Sequence, residues 1–218
     1  MTAFLLCVTA LISYSFGSLS TPILSSHIFF HENILKYSRD NVGITRFLKH
    51  HGWKGVAKLL VIEVFKVIIP VSIGGLLMLI VGHADVGFAF ALFCVVLGTI
   101  FPILYRFRGE PSLLAVAIGS FFLSGEVAFA GVIVFAVVYI VSRYVSLSAI
   151  IAMAFMCLVA VMSVDEVIVR NLVLLIGVLV LLEYRRSIIR LFKGKEKKFR
   201  YKKDVTYMFD DDYGRGDN

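Results

Sequence analysis

Residues 126–163 read EVAFAGVIVFAVVYIVSRYVSLSAIIAMAFMCLVAVMS. Arg143-Tyr144 divides this stretch into two apolar runs, each close to the roughly 20 residues that a helix needs to cross a hydrocarbon core of about 30 Å. Similar runs recur at 3–19, 58–82, 86–105 and 167–184, with a shorter one at 112–123. The chain of 218 residues is 59% hydrophobic, and its mean hydropathy of +0.90 lies far above that of a soluble domain. Water could not solvate so much apolar surface, so the bilayer is read as the solvent and the fold class as an all-α integral membrane bundle.

Lysine and arginine concentrate on the side of a membrane that is not translocated, which lets the charges orient the spans. Lys36, Arg39, Arg46, Lys49, Lys54 and Lys58 follow the first run, Arg106 and Arg108 the third and Arg143 the fifth, while the last run is followed by eleven basic residues from Arg185 to Arg215. The intervening loops carry His83-Ala84-Asp85, Ser124-Gly125-Glu126 and Asp165-Glu166, with Arg170 the nearest basic residue. A seven-transmembrane-helix bundle with its N-terminus outside and its C-terminus cytoplasmic satisfies every loop. Residues 112–123 are short for a crossing and could form a re-entrant half-helix; a five-span path is the runner-up. With no lysine or arginine before Lys36, the charged start of a secretory signal is missing, and 3–19 is read as an uncleaved span. Residues 1–192 then form the transmembrane domain, and 193–218 a basic, then acidic cytoplasmic tail without apolar periodicity, expected to be disordered, its lysines against anionic headgroups.

The formal net charge of +7 does not point to nucleic acid, because the basic residues flank spans rather than forming a separate domain with interleaved aromatics. Membrane lipid is the expected partner. Cys7, Cys94 and Cys157 stand singly in apolar stretches and read as small hydrophobes. His27 and His31 have the i, i+4 spacing of a metal pair, but no complete H-E-x-x-H motif follows, so no metal site is assigned. His50-His51 would diverge on a helix and are read as loop. Ionisable residues within a span are candidates for function. Glu63 and Lys66 share a face of the second span, and a structural ion pair and a substrate contact are both open readings. Three basic, glycine-containing segments, Tyr37 to Arg46, Tyr105 to Ser112 and Tyr184 to Glu196, are predicted on one side, where they either serve as orienting flanks or converge on an anion such as phosphate.

At those segments the chain resembles the acyl-phosphate:glycerol-3-phosphate acyltransferase family, the PlsY type, over nearly its whole length to about Glu196. Gly17-Ser18-Leu19-Ser20 is similar to the family's turn after its first span, and Asn41-Val42-Gly43-Ile44-Thr45 resembles its first loop motif. Glu63, Lys66 and Pro70 fall where the family has an acidic residue, a lysine and a proline. Gly98-Thr99-Ile100-Phe101-Pro102 followed by Phe107-Arg108-Gly109 looks like its second motif, Arg143-Tyr144-Val145-Ser146-Leu147-Ser148 is close to another family segment, and Arg190-Leu191-Phe192 with Gly194 and Glu196 resembles the end of its third motif.

The resemblance implies a seven-span bundle with a cytoplasmic groove and transfer of an acyl group from acyl phosphate to glycerol 3-phosphate or a related acceptor in phospholipid biosynthesis, in a bacterial plasma membrane and without a cofactor. It implies substrate binding by Asn41, Gly43, Thr45, Lys66, Arg108 and Gly109, to which Arg39 and Arg46 are added as candidates for phosphate on their charge. No catalytic residue is assigned, because the motifs are altered. Arg39 and Thr99 stand where the family has a serine and a histidine, Arg46 where it has an asparagine, Glu110-Pro111-Ser112 where it has Gly-Lys-Gly, and Tyr184 and Ser187 where it has a histidine and an asparagine. Pro111 has no N–H to offer a phosphate and Glu110 repels one, whereas the arginines could still bind it. The alternative is therefore a non-catalytic paralogue that binds anionic lipid or scaffolds a lipid-synthesis complex. A transporter is a weaker third reading, since no inverted repeat is evident.

Overall fold

The computed structural model describes residues 1–30, 44–103, 109 and 113–192, with only the backbone described at 30, 44–51 and 186–192. Eight α-helices and no strand occur among the described residues: α1 Thr2–Gly17, α2 Thr21–Phe30, α3 Ile44–Leu79, α4 Ala84–Ile100, α5 Leu113–Ser120, α6 Gly125–Ser142, α7 Val145–Ser163 and α8 Val167–Phe192. By length and apolar composition α3 from Gly52, α6, α7 and α8 to Arg185 can each cross a bilayer, and α1 with α2 would make a fifth span if the pair, bent by 64°, counts as one. α4 is apolar but has 17 residues.

Most expected spans reappear with shifted ends, and the shifts have local causes. The run expected to continue to residue 105 stops at Ile100, because Phe101 precedes Pro102 and is pushed out of the helical region, at φ −120° and ψ 61°. α3 starts before its expected span, and His50 and His51, expected in a loop, lie on its first, helical stretch. Gly52 then breaks the helix at φ 62°, a conformation that glycine adopts without steric cost. α2 was not foreseen. α8 continues to Phe192, past the end of its expected span. The tail 193–218 lies outside the described residues.

Packing follows from having lipid outside. Ile133, Val137, Ile140, Phe155, Leu158 and Met162 point outward, while Ala149, Ala152 and Ala160 are buried. In hydrocarbon the hydrophobic effect does not press helices together, so close contact falls to small residues that let backbones approach. Gly74 of α3 lies against Ala91 and Thr9, Gly98 of α4 against the Tyr14 carbonyl of α1, and Gly131 of α6 against Met156 of α7. The buried Thr9 hydroxyl donates to the Leu5 carbonyl 2.8 Å away, so the seam contains no orphan donor at that point.

These contacts fix the relative directions. α1 runs parallel to α4, since Thr9 shares its level with Ala91 and Gly17 with Val95. α3 runs antiparallel to α4, with Gly75 on Phe88 and Met78 on Gly87. α5 has eight residues and spans only about 12 Å by itself. The chain that contains it nevertheless runs the depth of α4: Gly109 packs on Thr99 and Ile100, Gly119 on Leu92, and the Phe122 ring lies 5.6 Å from that of Phe88. α6 and α7 form an antiparallel hairpin joined by Arg143-Tyr144, and Gly177 against Cys157 pairs α7 with α8 in the same manner. One end of the bundle thus collects the C-termini of α1 and α4, the start of α2, Gly109, the Arg143-Tyr144 turn and Tyr184.

Candidate functional site

At that end α1 stops at Gly17, the chain turns through Ser18–Ser20, and α2 departs at Thr21. Pro22 suits the first turn of a helix, where its missing N–H has no intrahelical partner to lose. α2 is polar inward and apolar outward: Thr21, Ser25 and Ser26 are buried, while Ile28 and Phe29 are exposed. Its inner face lies on α3, running in the opposite direction, since Thr21 meets Glu63 and Lys66 whereas the Phe29 ring lies 5.1 Å from Lys58 Nζ.

Glu63 and Lys66, one turn apart on α3, are both buried here. The Thr21 hydroxyl donates to Glu63 Oε2. Lys66 Nζ donates in turn to Thr21 Oγ1 at 3.3 Å and lies 3.9 Å from Glu63 Oε2. Burying a charge is costly unless it is paired and hydrogen-bonded, and this cluster supplies a counter-charge to each group. It also sets a carboxylate at the N-terminus of α2, where exposed N–H groups and the helix dipole favour negative charge.

Next to it, α4 ends against α1. The Thr99 hydroxyl is within hydrogen-bond distance of the Val95 carbonyl at 2.9 Å and the Gly17 carbonyl at 3.3 Å, and the Tyr14 hydroxyl donates to the Phe101 carbonyl at 2.6 Å. The backbone of Gly109 sits on the Thr99 and Ile100 carbonyls, where a Cβ would collide with both oxygens. Ser18 and Ser25 carry buried hydroxyls without a hydrogen-bond partner.

Of the residues expected to bind substrate, Lys66 lies in the buried cluster and Gly109 at the end of α4. Thr45 and Arg46 fall on the first turns of α3, at positions described only by their backbone. Arg39, Asn41, Gly43 and Arg108 lie outside the described residues, as do His31 and Glu110-Pro111-Ser112. Thr99 and Tyr184 reach the same end, Tyr184 as a buried member of the core. Among the described residues no three His, Cys, Asp or Glu side chains are grouped to hold a metal ion. Thr21 was missed by sequence reasoning. The start signal Ser20-Thr21-Pro22 could have revealed its helix, but only the fold shows which part of α3 that helix meets.

A family model described as glycerol-3-phosphate acyltransferase matches residues 7–194. A glycerol-3-phosphate acyltransferase of Staphylococcus haemolyticus is 29% identical over 209 residues, covering 90% of this chain and 99% of the relative. One of Francisella tularensis subsp. mediasiatica is 30% identical over 187 residues, covering 85% and 89%. The crystal structure of PlsY, an integral membrane glycerol 3-phosphate acyltransferase, in its glycerol 3-phosphate form, superposes with a TM-score of 0.74 at 23% identity, covering 89% of this chain and 96% of that one. The family model's match along residues 7–194, almost the whole chain, makes this protein a member of the glycerol-3-phosphate acyltransferase family.

Proposed function

We propose that the chain is a multi-pass enzyme of the bacterial plasma membrane that transfers an acyl group from acyl phosphate to glycerol 3-phosphate. The hydroxyl oxygen of the acceptor attacks the acyl carbonyl, the bond from that carbon to the phosphate oxygen breaks, inorganic phosphate leaves and the hydroxyl proton is lost to a base. The products are 1-acylglycerol 3-phosphate and phosphate. One observation carries the reading: the family match spans residues 7–194. Lys66, with Arg39, Arg46 and Arg108, supplies positive charge for phosphate oxygens, for which arginine forks are well shaped, and Asn41, Gly43, Thr45 and Gly109 complete the binding residues. That end faces the cytoplasm in a seven-crossing path with the N-terminus outside, a path supported by the passage of the chain between Gly109 and Phe122 along the depth of α4. The test is the full-length protein in phospholipid vesicles with palmitoyl phosphate and radiolabelled glycerol 3-phosphate. Labelled lysophosphatidic acid above an empty-vector control is expected, and its absence removes the activity.

A second reading, a non-catalytic paralogue that binds anionic lipid or scaffolds lipid synthesis, is favoured by the fate of two altered motif positions. Thr99, where the family's histidine is expected, spends its hydroxyl at the α1–α4 contact, and Tyr184 is buried in the core. Restored growth of a bacterium that lacks its own acyltransferase of this type would eliminate this second reading.

A further inference from the structure

Thr21 belongs to a different helix from Glu63 and Lys66, and its hydroxyl acts on both. Its single proton points to the Glu63 carboxylate, so the lone pairs left on Oγ1 are available to a donor, which Lys66 Nζ supplies at 3.3 Å. The direct approach of the ammonium to Glu63 is longer, at 3.9 Å. A lysine side chain has four rotatable bonds and a compact charge with no preferred direction, and a hydroxyl held from a second helix adds a directional contact to Nζ that the longer approach to Glu63 does not.

We infer that Thr21 and Glu63 are positioning residues that set the Lys66 ammonium for the phosphate of glycerol 3-phosphate. This rests on the reading of Lys66 as a substrate contact. Glu63 balances the lysine charge before substrate arrives, and Thr21 fixes the direction in which the ammonium is presented. Neither needs to touch the substrate.

The test is equilibrium binding of radiolabelled glycerol 3-phosphate to full-length protein in detergent, with thermal midpoints measured in parallel; it needs no turnover. Lys66→Met and Thr21→Val are each expected to weaken binding about tenfold, the scale of one hydrogen bond to a charged group. Glu63→Gln is expected to weaken it in the same direction, and Thr21→Ser to restore it. Because Thr21 acts through Lys66, Thr21→Val added to Lys66→Met should cost nothing further, the non-additivity of a shared interaction. A Thr21→Val protein with a lowered midpoint but wild-type binding would overturn the inference and leave Thr21 a structural tie, as would strict additivity of the two changes. Wild-type binding by Lys66→Met would remove the lysine as a substrate contact and the inference with it. A wild-type protein that binds no glycerol 3-phosphate would refute the functional reading itself.

Discussion

At the residue scale, the end of the bundle depends on a few side chains whose replacement has distinct expected costs. Glu63 is 7% exposed and Lys66 5%, so removal of the carboxylate strands a buried cation. Glu63→Ala is expected to destabilise the protein by about 3–5 kcal/mol, the usual result of breaking a buried pair from one side. Measured by chemical unfolding in detergent, a loss below 1 kcal/mol would mean that water reaches the ammonium. Gly98 is a packing position of another kind: a Cβ there would stand 2.5 Å from the Tyr14 carbonyl and 2.9 Å from the Ser18 nitrogen. Gly98→Leu should therefore push α1 from α4 and cost about 1–3 kcal/mol, in line with overpacked cores, read as a fall in thermal midpoint. The sequence displayed both residues openly. Glu63 and Lys66 were legible as a pair because three-residue spacing puts side chains on one helical face, but their third partner, 42 residues from Glu63, left no mark in local spacing.

At the element scale, the α6–α7 hairpin closes through Arg143 and Tyr144. Arg143 adopts φ 58° and ψ 19° and its N–H donates to the Tyr139 carbonyl, ending α6. That left-handed cap position is usually glycine, since a Cβ there meets the following carbonyl at a cost of about 1–2 kcal/mol. Arg143→Gly is expected to keep or raise the thermal midpoint, and Arg143→Val to lower it; equal midpoints for both would show that the turn relaxes out of this conformation. Loss of the arginine charge is a separate matter, belonging to orientation and not to the turn. α2 illustrates the limit of periodicity. Its buried face carries Thr21, Ser25 and Ser26 and its exposed face Ile28 and Phe29, the reverse of a helix at a watery surface, so an apolar-stripe search passes over it. α5 is similar, because eight residues are too few to mark a crossing by length, and its place beside α4 comes from the contacts of Gly119 and Phe122.

At the scale of the whole molecule, charge and packing can be tested against each other. The proposed seven-crossing path would put all basic residues but Lys66 and Arg170 on one side, with α5 in its short fourth crossing. With the three native cysteines removed, Ser38→Cys, Ser112→Cys and Ser187→Cys are expected to resist an impermeant maleimide in intact cells, whereas Ala84→Cys should react. Outside labelling of Ser187→Cys with protection of Ala84→Cys would reverse the orientation. Protection of Ser124→Cys with Ala84→Cys still reactive would remove the short fourth crossing.

The sequence by itself determined the solvent, the class and the family-like order of motifs. Hydropathy integrates over about 20 residues and positive charge sorts loops by side, so neither needs a neighbour in space to be read. The span end at Ser163 was legible in the same way, whereas the run expected to reach residue 105 stops at Ile100, just before Pro102. What only the tertiary structure decided is which small residues touch, that the Thr99 hydroxyl lies against the Gly17 carbonyl of α1, and that Thr21 stands between Glu63 and Lys66. Each of these joins residues on different helices, the last two across more than 40 positions, and in lipid such meetings are chosen by shape and hydrogen bonding between helices, for which a single apolar sequence holds no periodic signature.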